Sequence, residues 1–215
     1  MMPVLRRIAA VGLLVVLGGC VETRFESPIG DNIETCDVKW KGLWGDADSA
    51  TEPGAIYVDE DCRFIVLDQT ERGGPLKQIH VPMNFVHADG KDYLVVADSA
   101  LKGLVELKPP HGIDPPPDKS FFFARYRVRG DRVEINQVDS DAVAKLVIDG
   151  KLEGSVDKVA NDLHVYVRGN RAHMLEIVRT LPIFQSKAPT VLVRRKQSVD
   201  EFERAVLDAQ KKQPR

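Results

Sequence analysis

The segment from Phe122 to Asn136 constrains the fold most. Phe122, Ala124, Tyr126 and Val128 alternate with Phe123, Arg125, Arg127 and Arg129; Gly130-Asp131 follows, and Val133 and Ile135 then alternate with Arg132, Glu134 and Asn136. Strict alternation is the period of a strand with one face buried, and a two-residue loop with glycine is a hairpin connection. Loop and pattern set one register, with Val128 opposite Val133, Tyr126 opposite Ile135 and Arg127 opposite Glu134. A slip of one residue would set charge against core. Only Arg129 against Arg132 is unfavourable, and that pair falls at the solvent end.

Other short runs rich in aromatic and β-branched residues read as strands: Val38 to Trp44, Ala55 to Val58 and Cys62 to Leu67, the last two separated by the acidic turn Asp59-Glu60-Asp61. Ile79 to His87 and Asp92 to Val96 flank Asp89-Gly90, a dipeptide suited to a type I′ turn because both residues tolerate positive φ. Lys151 to Val156, Leu163 to Val167 and Thr190 to Arg195 complete the set. Asp139 or Ser140 caps a short helix that buries Val143, Leu146 and Val147 and ends at Gly150. A second helix begins near Asn170, buries Met174, Ile177, Val178 and Leu181, and stops at Pro182. The capping box Ser198-Val199-Asp200-Glu201 opens a C-terminal amphipathic helix with Val199, Phe202, Val206 and Ala209 inward and Lys211 and Lys212 at its cation-favouring end. The expected class is mainly β (α+β), an antiparallel sheet or barrel of about nine or ten strands with two or three helices.

Five prolines between Lys108 and Asp118 rule out a central strand or helix there and predict a stiff surface loop. A partner that recognises polyproline is the functional alternative to a spacer.

The N-terminus has the three parts of an export signal: Arg6-Arg7, the apolar run Ile8 to Leu17, and small residues before a cleavage point. With its cysteine, Leu17-Gly18-Gly19-Cys20 resembles the lipobox of bacterial lipoproteins. The resemblance implies that residues 1–19 are removed and that Cys20 becomes an acylated N-terminus. The uncharged stretch to Val21 is short of the roughly 20 apolar residues that cross a bilayer. Two or three acyl chains, as the resemblance implies, give stable anchoring where one does not. Val21 follows the cysteine where an aspartate would favour inner-membrane retention, so the expected location is the outer membrane, facing the periplasm.

Removing the signal leaves roughly 200 residues, enough for one core. The expected organisation is a signal at 1–19, a lipidated N-terminus and flexible stalk at 20–36, and one mainly-β domain at 37–215. The whole chain carries a formal charge of −2, and the signal takes two arginines with it. Interspersed charges of that balance supply no basic face for nucleic acid. Cys36 and Cys62 then lie in a compartment that permits disulfides. Their pairing would close a loop of about 26 residues and stabilise by roughly 3 to 4 kcal/mol in the chain-entropy model; two free thiols are the alternative.

Chemistry-bearing motifs are scarce. His80, His87, His111, His164 and His173 show no metal-ligand spacing. There is no nucleophile elbow, phosphate loop or dinucleotide fingerprint. Neither catalysis, a metal nor a cofactor is expected. Lys39-Trp40-Lys41-Gly42-Leu43-Trp44 contains a Gly-x-Trp step that resembles the opening of lipocalin-type barrels. That resemblance implies a tryptophan closing one barrel end and a basic residue of the last strand, Arg194 or Arg195, packed over it. Two expectations of different class follow. One is a membrane-tethered interaction or envelope-associated module that meets another protein. The other is a binder of a small apolar ligand, with Trp44, Phe122, Phe123 and Tyr126 as its lining.

Overall fold

A computed structural model describes residues 21–48, 51, 53–101, 120–159, 162–185 and 189–212. Among these the chain forms a mixed sheet of twelve strands that does not close, with four helices. The first seven strands are β1 (Val21–Phe25), β2 (Gly42–Asp46), β3 (Ala55–Val58), β4 (Phe64–Asp68), β5 (Lys77–His80), β6 (Asn84–Ala88) and β7 (Lys91–Ala97). They are followed by β8 (Phe121–Arg129), β9 (Arg132–Gln137), β10 (Gly154–Val159), β11 (Asp162–Val167) and β12 (Thr190–Arg195). The helices are α1 (Asp98–Leu101), α2 (Ser140–Ile148), α3 (Arg171–Thr180) and α4 (Val199–Lys212).

The hairpin β8–β9 has the register that its sequence specifies: Val128 pairs with Val133, Tyr126 with Ile135, Arg127 with Glu134 and Arg129 with Arg132. Asp89 and Gly90 turn β6 into β7 with φ of 51° and 69°. Asp139 and Asn170 cap α2 and α3 through hydrogen bonds from Ala142 N–H and His173 N–H. Ser198 and Glu201 exchange the bonds of a capping box ahead of α4. Phe202 and Val206 of that helix cover the outer face of β2, β3 and β4.

Nine strands, in the order β6-β7-β8-β9-β12-β2-β3-β4-β5, curl around one apolar cluster to which each contributes. No ladder joins β5 to β6 among the described residues, so the barrel is open there. A second apolar layer lies outside β6, β7, β8, β1 and β11, covered by α2 and α3 through Val143, Met174, Ile177 and Val178.

Several expectations require correction. The sheet is mixed, not antiparallel, because β1 runs parallel to β11. The residues read as a stalk include β1, whose last residue Phe25 is fully buried, as is Ile29 beyond it. Val38 to Trp44 is not one strand: Asp37 accepts from Lys39 N–H and turns Val38–Trp40 into a 3-10 helix, and β2 starts only at Gly42. Ile79 to His87 is split into β5 and β6 at Pro82, which cannot donate to a ladder. The triplet Asp59-Glu60-Asp61 is no simple solvated turn, because Asp59 is buried and accepts from Asp61 N–H, Arg63 N–H and the Arg63 guanidinium. Burial opposes its charge, but those bonds outweigh it and hold its pKa below the usual aspartate value.

Cys36 and Cys62 stand at disulfide distance, with Cα atoms 5.3 Å apart, and join the segment behind β1 to the β3–β4 turn. The lipobox with Cys20 and the proline-rich segment lie outside the described residues.

Candidate functional site

β8 has one edge that two strands contest. β9 occupies it from Ala124 to Arg129, whereas β1 reaches it only at the pair Phe25 and Phe121. From that point β1 continues along β11, while β9 leaves at Gln137 to enter α2. The fork leaves a cavity of about 270 Å³. Val81, Met83, Leu94, Val96, Leu101 and Phe122 form its apolar wall, all within the barrel core. Glu22, Thr23, Gln137, Asp139, Ser140 and Asp141 form its polar rim.

That rim is held on every side. Thr23 Oγ1 donates to Ser140 Oγ at 2.7 Å and so ties β1 to the first residue of α2. Asp139 takes Ala142 N–H at 3.1 Å as the helix cap, and its own N–H reaches Ile183 O at 2.8 Å. Glu22 and Arg24, 6% and 3% exposed, form an ion pair. Arg24 Nη1 also lies 3.8 Å from Asp98 Oδ2, which accepts from Ser120 Oγ, and its guanidinium sits 5.4 Å from the Phe122 ring centroid. A buried charge is tolerated only when paired and hydrogen-bonded, so these contacts fix the shape of the opening. Chemically the site is a receptacle, with a floor that takes apolar groups and an edge that takes hydrogen bonds.

The four aromatic residues expected to line one site separate into two places. Phe122 and Phe123 border the cavity. Phe123 also turns to the outer layer and stacks on Phe25 with ring centroids 4.1 Å apart. Trp44 and Tyr126 instead pack against Trp40, at 6.0 Å and 5.4 Å, and fill the barrel further along β8. Tyr126 donates its hydroxyl to Asp37 at 2.6 Å. Burial, reinforced by that carboxylate, pushes the phenol far above the ordinary tyrosine value.

Over this filled part β12 lies beside β2 with Arg194 paired to Trp44. Arg194 bonds the carbonyls of Lys41 and Lys39 and the carboxylate of Asp131. Gly42, with φ of 109°, makes room: a Cβ there would stand 2.9 Å from Arg194 Nη1. The positive φ favours glycine in the Gly-x-Trp step, and a methyl there would have to displace the end of the Arg194 side chain.

A polar cluster centres on His87, whose Nδ1 is 2.7 Å from Asp92 Oδ1 and whose Nε2 lies 3.9 Å from Glu34 and 4.0 Å from Asp37. Among the described residues no group of three or more His, Cys, Asp or Glu is placed to hold a metal ion.

The rim residues Glu22, Thr23, Asp139, Ser140 and Asp141 were not among the sequence candidates for a site. Asp139 and Ser140 carried a signal only as helix caps, and Glu22 and Thr23 carried none. No protein-family model matches this chain, and neither a curated protein nor a solved structure matches it.

Proposed function

We propose that this protein is a lipid-anchored component of the bacterial cell envelope, held at the outer membrane by Cys20, whose open barrel holds a small apolar molecule or the apolar part of an amphiphile. The cavity at the fork, apolar within and polar at its rim, carries the reading. An apolar cavity of about 150 Å³ admits benzene, so one of about 270 Å³ suits a single short chain or two fused rings. A two-chain phospholipid is too large. The arrangement retains and releases its occupant and performs no reaction on it.

Native mass spectrometry of the domain isolated from its own envelope tests the proposal. Wild-type protein is expected to carry bound mass, and Ala124→Trp, which places an indole in the cavity, is expected to lose it. Val96→Phe serves as a second, milder plug. Repeated absence of bound mass in the wild type overturns the reading.

A tethered interaction module is the second reading, supported by β10, which among the described residues pairs only with β11 and leaves its other edge open for strand addition. Lys158 lies exposed in that strand. Crosslinking through Lys158 in intact cells should then give discrete adducts, and a blank result removes this reading.

A further inference from the structure

We infer that the cavity mouth faces the bilayer that holds the lipid of Cys20, and that its occupant is a single-chain lipid taken directly from that bilayer. The inference rests on the lipid anchor and on the cavity reading above.

Its basis is the position of β1. The strand begins at Val21, the residue after the cysteine, and every residue from Val21 to Phe25 pairs with β11. No slack separates the acylated residue from the sheet. Glu22 and Thr23, two and three positions from Cys20, both line the cavity. A chain spans at most about 3.6 Å per residue, so this side of the cavity lies within about 10 Å of the lipidated residue. The headgroup layer on each side of a bilayer is about 5–7 Å thick. A mouth on so short a tether opens at or just above that layer.

The strand cannot peel away to lengthen the tether without breaking its buried partners. The Thr23–Ser140 hydroxyl pair, the approach of Arg24 to Asp98, and the five ladder positions along β11 would all be lost. An unpaired buried donor or charge costs more than its bond returns. The rigid link therefore keeps this side of the cavity close to the bilayer. The apolar wall begins directly behind the rim, so an acyl chain passes from hydrocarbon to cavity while its polar end stays among Thr23, Ser140 and Gln137. The volume limits the occupant to one short chain, which points to a short-chain lysophospholipid or fatty acid. Both share the single acyl tail, and the two differ in the head.

The test uses the full lipidated chain in phosphatidylcholine vesicles that contain a doxyl-labelled lipid. One single-cysteine label is placed at Asp141→Cys, an exposed rim position, and another at Arg129→Cys, exposed at the far end of β8. The fluorophore at 141 should be quenched several-fold more strongly than that at 129. Equal quenching, or stronger quenching at 129, overturns the orientation. Native mass spectrometry of unlabelled protein recovered from vesicles doped with a short-chain lysophosphatidylcholine or with a short-chain fatty acid should show one of the two bound. Preferential quenching at 141 with neither lipid bound overturns the loading step alone, the cavity reading being judged by bound mass from the native envelope, while bound lipid without preferential quenching overturns the orientation alone.

Discussion

The guanidinium of Arg194 lies over the indole of Trp44, its central carbon 4.1 Å from the ring centroid. The same group reaches the carbonyls of Lys39 and Lys41, so one side chain ties β12 to the 3-10 turn and to β2. Removing it as Arg194→Ala should lower stability by about 2–3 kcal/mol, the sum of a cation–π contact and charge-assisted hydrogen bonds. Arg194→Lys should recover less than half, because a point charge cannot cover the ring and fork onto two carbonyls at once. Urea unfolding measures both; a lysine variant as stable as wild type would refute the geometric account.

Gly42 makes that contact possible. Gly42→Ala places a methyl against Arg194 Nη1 at a backbone φ of 109°, which is unfavourable for any other residue. The expected cost is about 1–3 kcal/mol. Since much of the damage is displacement of Arg194, the double variant with Arg194→Ala should cost less than the two singles added. Additive costs in a urea double-mutant cycle would show that strain alone acts at Gly42.

Tyr126 gives the domain an alkaline limit. Burial and the Asp37 carboxylate raise its pKa in the folded state, and burial pushes Tyr166 up to about 12. A group whose folded pKa is raised contributes stability that is whole below its unfolded value, about pH 10 for tyrosine, and is lost as pH climbs beyond it. Unfolding midpoints should therefore fall between about pH 10 and pH 12. Tyr126→Phe should cost about 1–3 kcal/mol at pH 7, by depriving buried Asp37 of a donor, and should flatten the alkaline fall. An unchanged alkaline slope in that variant would show that other groups set the limit.

How much of this was legible depended on how far each partner lay along the chain. The β8–β9 register, the Asp89-Gly90 turn and the caps at Asp139, Asn170 and Ser198 follow from residues within a few positions of one another, so sequence pattern specifies them. β1 was invisible for the opposite reason. Glu22, Thr23 and Arg24 look like a solvated tether, yet all three are buried, with Arg24 set beside Asp98 and Thr23 bonded to Ser140. Polar residues that are buried as pairs leave no hydrophobic period to read. The cavity was hidden further still, since it arises where β1 and β9 share an edge of β8, a property of topology that no single segment carries.

Cys36 and Cys62, 26 residues apart in sequence, stand at disulfide distance and link the β3–β4 turn to a segment that also meets the sheet through the Glu34–Phe85 bridge and the Asp37–Tyr126 hydrogen bond. Closing a loop of that length restricts the unfolded chain by roughly 3–4 kcal/mol in the chain-entropy model. Replacing both cysteines with serine should lower the unfolding free energy by that amount, read as a fall in the urea midpoint. Reductant should bring wild type to the level of the double variant and leave the double variant unchanged. Asp37, which caps the 3-10 turn, follows Cys36 directly, so loss of the disulfide should also loosen that turn and weaken the near-ultraviolet circular dichroism of Trp40 and Trp44 before the sheet unfolds. A wild-type midpoint insensitive to reductant would mean that the two thiols stand close without bonding.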